Sequence, residues 1–405
     1  MLRNDILNSQ IQVETVGRSR SSLSGRRAAR ELLLLGTTAN LSPERKERIS
    51  RILGGALDWG YLLHLATQHG VTPLIAYNLT TAGLASQVPD SNLARLQQIY
   101  HKNLFRNLIL AHELTGVLAV FYQHGILAIV LKGTVLAEHL YGNPALRTVG
   151  DMDVLVPPEK MHSARSLLLE MGYRQFTSPS WHHAFHEAPY CRLAQFPLFI
   201  ELHWNLDDEK LVTISRQQVW NRAQRLPTQE QAGMVLSPED TLLFLSNHLS
   251  KHSTHLLRSL NDIAELLKKY DSILDWDYAL AATHSWGVEA AVYYALRRSQ
   301  ELLGAPVPAY VIRAIKPRVW RRRLIDFLIS RDFFISSTHR ARLRDETYTV
   351  ARSLMMNNVS QTILILARNH GRSNRITWFR TAIWVILVFG AALARSLFRV
   401  VSGRK

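Results

Sequence analysis

The sequence predicts an α+β chain in which a compact strand-and-helix block sits between two helical stretches. Three observations carry this. Apolar residues recur at three-to-four spacing in the first quarter of the chain and again after residue 237. Between them lie short apolar runs bounded by glycine or proline, too short for helices. Finally, Ser237-Pro238-Glu239-Asp240 is a helix-start signal that closes the block.

Residues 1–27 read as a basic, Arg/Ser-rich arm expected to be poorly ordered. Residues 28–115 read as a helical module. Leu32, Leu33, Leu35, Ile49, Ile52, Leu53, Leu57, Leu62, Leu63 and Leu65 recur at helical spacing, and residues 93–122 form one long helix or two shorter ones. The block proper spans 116–225. Its first buried strand is predicted over 126–131 and a helix over 135–141, stopped by Gly142-Asn143-Pro144. A second strand follows at 152–156, an amphipathic helix at 159–171 ending on Gly172, and further strands at 182–188 and 198–204. Residues 236–370 read as a C-terminal helical domain. Ser237 is its N-cap, Pro238 fits the first turn, and Asp240 stands where a capping-box acid would. Residues 371–405 form a basic and apolar tail. Within it, 381–394 is an uncharged run of 14 residues between Arg380 and Arg395. That is shorter than the roughly 20 residues of a spanning helix. The readings are an interfacial helix on an anionic membrane, a buried or partner helix, and a true span.

With 47% hydrophobic and 20% charged residues the chain is globular and can bury a large core. Its formal charge of +16 favours anionic partners such as nucleotides, nucleic acid or anionic lipid, and names none of them. Arg313, Lys316, Arg318, Arg321, Arg322 and Arg323 form a basic cluster that most simply reads as a solvated face. Cys191 is the single cysteine, which excludes an intrachain disulfide and suits an inert thiol. No apolar leader precedes the arginine-rich arm, so a cytoplasmic location is expected, peripheral to the membrane if the tail binds it.

One ordered set of residues points to chemistry. Leu131-Lys132-Gly133-Thr134 ends a strand and opens a helix; the glycine lets backbone approach a phosphate, the helix start offers free N–H groups, and Thr134 adds a hydroxyl. Asp151 and Asp153, two apart at the start of a strand, aim at one point. Two carboxylates that close call for a cation between them, and Mg²⁺ or Mn²⁺ suits an all-oxygen donor set. Glu201, between Ile200 and Leu202 on an apolar strand, is a third acid that needs a partner or a metal. His203 shares a strand face with Glu201 and is a candidate substrate contact or support for the acids. His182, His183 and His186 are weaker candidates. His248, His252 and His255 lack the companion residues of a zinc motif, and His252 and Arg258 are instead candidates near nucleotide or acceptor.

Residues 116–205 resemble the core of the DNA polymerase β-type nucleotidyltransferase superfamily. More closely, Leu131-Lys132-Gly133, Leu140-Tyr141-Gly142, Arg147, Gly150 to Val156, Gly172-Tyr173 and Glu201-Leu202-His203-Trp204 resemble a bacterial family of uncharacterised nucleotidyltransferases. The likeness extends to Trp59, to Gly70-Val71-Thr72-Pro73-Leu74, to Asp262 and to Pro306-Val307-Pro308. It implies a mixed sheet with helices, and transfer of a nucleoside monophosphate from ATP or another nucleoside triphosphate to an acceptor hydroxyl. Asp151, Asp153 and Glu201 would hold the metal in two-metal fashion, Gly133 and Thr134 would cradle phosphates, and Lys132 or Arg147 would neutralise the departing pyrophosphate. Thr134 replaces the superfamily's usual Ser or Gly, and the 18-residue step from Gly133 to Asp151 is longer than its usual spacing. Two other readings are a nucleotide-binding regulatory protein without turnover, and a membrane-associated accessory protein of surface polysaccharide synthesis.

Overall fold

A computed structural model describes residues 23–175, 186–209, 211–226, 233–251, 256–329, 334–335 and 351–357. The arm up to residue 22, the histidines 182, 183, 252 and 255, and the tail 371–405 lie outside the described residues.

Five helices come first: α1 (Leu23–Gly36), α2 (Pro43–Leu53), α3 (Trp59–Gln68), α4 (Thr72–Thr81) and α5 (Asp90–Gln123). Local chemistry sets their starts. Ser42 and Asp58 each accept a backbone N–H three residues on, from Arg45 and Tyr61, and Pro43 occupies the first turn of α2. The periodic stretch expected as one helix or two is a single helix of 34 residues, α5. By length and composition α5 is apolar enough to cross a membrane. Here, however, Leu110, Leu114, Val117, Leu118 and Phe121 pack into the core beside the sheet.

The sheet follows: β1 (Ile129–Val130), α6 (Thr134–Tyr141), β2 (Met152–Leu155), α7 (Met161–Glu170), β3 (Arg174–Gln175), β4 (Glu187–Leu193), β5 (Pro197–His203), α8 (Arg216–Arg222), β6 (Gln224–Arg225) and β7 (Met234–Val235). Its order is β3-β4-β5-β2-β1-β7-β6. β2 pairs parallel with β5, and β1 with β7, while the other neighbours are antiparallel, which makes the sheet mixed. The C-terminal helices are α9 (Pro238–Leu249), α10 (Leu256–Tyr270), α11 (Trp276–Trp286), α12 (Glu289–Leu303), α13 (Ala309–Ala314) and α14 (Val319–Leu328).

Several boundaries differ from the sequence reading. The strand expected over 126–131 pairs regularly only at Ile129–Val130, although Ala128 and Leu131 extend the bonding through Met234 N and Asp153 O. The strand expected at 182–188 is described only from Glu187 and continues to Leu193, because its partner β5 stays in register to Pro197. The helix expected at 159–171 opens with a 3₁₀ turn, Pro158–Lys160. β6 and β7 carry no long apolar run and escaped the pattern. Ser237 caps α9 as expected, through the Asp240 N–H, but the Asp240 carboxylate does not complete a capping box; it accepts from Tyr278 Oη at 2.8 Å.

The apolar interior falls into two clusters. One lies between the sheet, α5 and α7, with Phe121, Val130, Val154, Ile200, Ala164 and Leu168. The other is helical and takes in residues from both ends of the described chain, such as Leu32 and Leu65 with Leu260, Leu267 and Leu303. Each fully buried leucine contributes roughly 1.5–3 kcal/mol. Polar ties reinforce the union. The Glu265 carboxylate accepts from Thr38 Oγ1 and Ala39 N, both at 3.2 Å, and Arg45 donates to the Leu303 carbonyl at 2.5 Å.

Candidate active site

The site forms where β2 and β5 run side by side. Their parallel register sets Asp153 opposite Glu201 and Leu155 opposite His203, so all the polar side chains emerge on one face. Lys132, at the end of β1, reaches across this face. Its Nζ lies 3.1 Å from Asp153 Oδ1 and 3.8 Å from Asp151 Oδ1. The two aspartates therefore converge on one point, and the ammonium occupies it. Burial alone would lower the Lys132 pKa, but Asp151, Asp153 and Glu201 together outweigh it and hold the group charged beyond the ordinary lysine range. Burial likewise works to raise the Asp153 pKa, yet Lys132 and the hydrogen bond from His203 drive it well below the usual carboxylate range. The centre is an ionised, buried acid with a matched cation.

Asp153, Glu201 and His203 each place a donor atom within 4.8 Å of the others, a spacing that can hold a metal ion. His203 Nε2 lies 3.3 Å from Asp153 Oδ1 and 4.0 Å from Glu201 Oε2. Asp151 is linked to this group through Lys132, whose Nζ lies 3.8 Å from its Oδ1. Among the group's carboxylate oxygens, Asp153 Oδ2 is fully buried and makes no hydrogen bond. A buried carboxylate oxygen left bare costs about 1–3 kcal/mol or more unless something coordinates it.

Gly133 and Thr134 sit directly beside the acids. Gly133 has φ 84° and ψ −132°, a conformation closed to residues with a Cβ, and an added Cβ would meet the Asp151 carbonyl oxygen at 3.1 Å. The turn thus presses the start of α6 against the backbone of Asp151. Thr134 is the buried first residue of that helix.

The segment from Gly142 to Gly150 leads into Asp151 and is braced on two sides. From α5, Asn103 donates to the Ala145 carbonyl at 2.7 Å, and Asn107 to those of Pro144 at 2.5 Å and Arg147 at 2.7 Å. Arg106 donates to the Val149 and Gly150 carbonyls at 3.3 and 3.4 Å and lies over the Phe196 ring. Burial lowers the Arg106 pKa, and the nearby Asp151 charge offsets only part of this. From α10, Asp262 grips the buried Arg147 guanidinium with both oxygens, at 2.8 and 2.9 Å, and accepts from Tyr141 Oη at 2.7 Å. The remaining Arg147 nitrogen, Nη1, donates to the Gly133 carbonyl at 3.3 Å. Arg147 is therefore committed to holding the glycine turn. Arg258 donates to the Thr148 carbonyl at 3.1 Å and braces the same segment.

The sequence reading passed over Asn103, Arg106 and Asn107. Their signal was present: three polar residues at one-turn spacing on a helix that is otherwise apolar on that side. It also passed over Glu187, Asp207 and Lys251. Glu187 pairs with His203 across β4 and β5, and its Oε2 lies 3.6 Å from His203 Nδ1. Asp207 takes a salt bridge from Lys251 at 2.8 Å and a hydrogen bond from Asn247. Between these groups lies His186, whose pKa burial and Lys251 push down to about 2, leaving it neutral.

A family model described as an uncharacterised nucleotidyltransferase matches residues 55–304, more than half of the chain. That span includes the sheet, α5, the glycine turn and the Arg147–Asp262 pair. No curated protein and no solved structure matches the chain.

Proposed function

This chain belongs to the uncharacterised nucleotidyltransferase family, and we propose that it moves a nucleoside monophosphate from a nucleoside triphosphate to a hydroxyl acceptor. The acceptor oxygen bonds to the α-phosphorus, the bond from that phosphorus to the β-bridging oxygen breaks, and pyrophosphate leaves. The observation that carries the reading is the bare, buried Oδ2 of an ionised Asp153, set among Asp151, Glu201 and His203.

This donor set fits a hard divalent cation, Mg²⁺ or Mn²⁺, held by Asp151, Asp153 and Glu201. Such a cation, when bound, draws the phosphate oxygens to the site and lowers the pKa of the acceptor hydroxyl. The chain's own residues do the rest. Glu201 takes the acceptor proton. Gly133 lets phosphate oxygens approach the backbone, and the N–H groups at the start of α6 face them. Lys132, now shared by two aspartates, supplies positive charge toward the pyrophosphate side. Arg147, Asn107 and Arg258 keep the turn and Asp151 in place.

The test is to incubate the protein with Mg²⁺ or Mn²⁺ and each labelled triphosphate, and to follow pyrophosphate and labelled product. Activity in the wild type that disappears in an Asp151→Ala, Asp153→Ala double variant is expected. Nucleotide binding with no turnover in either protein would favour the regulatory reading.

A further inference from the structure

A second group of donors lies beside the carboxylate centre and differs from it in chemistry. β4 begins where β5 ends: Glu187 is paired with His203, and Trp204 N donates to the His186 carbonyl. Paired residues of an antiparallel ladder project on the same face. This brings three donor atoms together. Glu187 Oε2 lies 3.7 Å from His186 Nε2 and 3.6 Å from His203 Nδ1, and the set lies within 4.8 Å overall. Nitrogen and oxygen ligands at about 2.0–2.1 Å in tetrahedral array stand roughly 3.3 Å apart, close to these separations.

Each imidazole has a carboxylate behind it, and that of His203 is within hydrogen-bond distance. His203 turns its other nitrogen, Nε2, to Asp153 Oδ1 at 3.3 Å. His186 Nδ1 lies 3.9 Å from Asp207 Oδ1, an electrostatic contact without a hydrogen bond, and Asp207 is itself fixed by Lys251 and Asn247. A carboxylate behind a histidine, with the other ring nitrogen aimed at a common point, is the usual support of a metal-binding imidazole. His186 is 9% exposed and His203 is 3% exposed. The nitrogen of His203 that faces Glu187 is buried without a hydrogen-bond partner. A neutral protein core would satisfy that atom; a metal ion does so directly.

We propose that His186, Glu187 and His203 form a site for a divalent transition ion of the zinc class, with its fourth position open to water or substrate. Two nitrogens and one carboxylate suit Zn²⁺, Co²⁺ or Ni²⁺ and are poor ligands for Mg²⁺. His203 then has a double attachment, with Nδ1 on this ion and Nε2 against Asp153. Neither Asp151 nor Glu201 supplies a ligand to it, so its loading can be read apart from nucleotidyl transfer, although His203 is shared with the carboxylate centre through Asp153.

The test uses the full chain, stripped with chelator and titrated with Co²⁺ in excess Mg²⁺, reading the visible absorption of a four-coordinate Co²⁺ centre. One equivalent is expected, displaced by Zn²⁺. Glu187→Gln, at a partly exposed position, and His186→Gln should each weaken binding more than about tenfold, the scale of loss from removing even an outer partner of a ligand. Asp151→Asn should leave Co²⁺ binding unchanged. Absence of bound Co²⁺ in excess Mg²⁺, unchanged affinity in Glu187→Gln, or loss of binding in Asp151→Asn would each overturn the proposal. Glu187→Gln decides the matter even where the buried His186 variant does not fold.

Discussion

Arg147 and Asp262 form a two-pronged ion pair, 2.8 and 2.9 Å long, wholly inside the protein, joining the segment before Asp151 to α10. Removing one partner of such a pair strands a buried charge. Arg147→Met and Asp262→Leu are each expected to lower stability by about 3–5 kcal/mol. The double variant should lose much less than the sum, because neither charge is then orphaned. Urea unfolding of the three variants checks this, and additive losses would refute it.

The glycine turn leads to a second expectation. Gly133→Ala forces a Cβ into the positive-φ region and toward the Asp151 carbonyl at 3.1 Å. A strain of about 1–3 kcal/mol is expected. Since the turn and Asp151 share that contact, triphosphate affinity should fall along with the melting temperature. Calorimetric titration with a non-hydrolysable triphosphate reads it.

Asn107 braces the same segment from the opposite side, through the Pro144 and Arg147 carbonyls. Asn107→Leu keeps the branched side-chain skeleton and removes both bonds. The cost should be about 1–3 kcal/mol by urea unfolding, the usual consequence of leaving buried acceptors bare. A change within a few tenths would show that water replaces the amide there.

Lys132 competes for the point where Asp151 and Asp153 converge. Lys132→Met should therefore tighten Mn²⁺ binding in the absence of nucleotide while slowing turnover. Electron paramagnetic resonance of free Mn²⁺ measures the first effect. Weaker Mn²⁺ binding in the variant would mean that the ammonium orders the carboxylates instead of displacing a cation.

His139 supplies a pH dependence away from the acids. It contacts Tyr270 Oη, and burial, then the Lys269 charge, lower its pKa below the ordinary histidine value. The unfolded chain thus binds a proton at this position before the folded one does. Stability from this residue is complete above the ordinary histidine pKa of about 6.5 and is lost as the pH falls below it. Melting temperatures of the wild type and His139→Gln, compared from pH 8 down to about pH 5, should converge toward the acid end. Parallel curves would remove His139 as the source.

Some of this was legible in the sequence, and the reason differs from residue to residue. The Asp151–Asp153 convergence was expected from a strand period of two, but Asp151 precedes β2 and meets Asp153 at the Lys132 ammonium. Gly133 was legible because a lone glycine between a strand and a helix has few other uses. The pairing of Glu201 with Asp153 was not, since strand register is decided by packing between segments distant in the chain. The same holds for Arg147: its arginine suggested a phosphate ligand, and only α10 reveals that Asp262 holds it. Glu187 was hidden because its strand was expected to end where it in fact begins. His252 and the apolar tail lie outside the described residues.

The helical core shared by α1–α4 with α10 and α12 has a consequence for synthesis. A nascent chain that has just released Glu201 holds every acid of the site, but lacks the surface on which its first helices close and the aspartate that grips Arg147. The ribosome must deliver α10 and α12 before either can form. Until then the early helices, packed on one another, leave the part of that core facing α10 and α12 uncovered, a state vulnerable to aggregation and protease. The site is thus a late product of translation, completed by residues made after it.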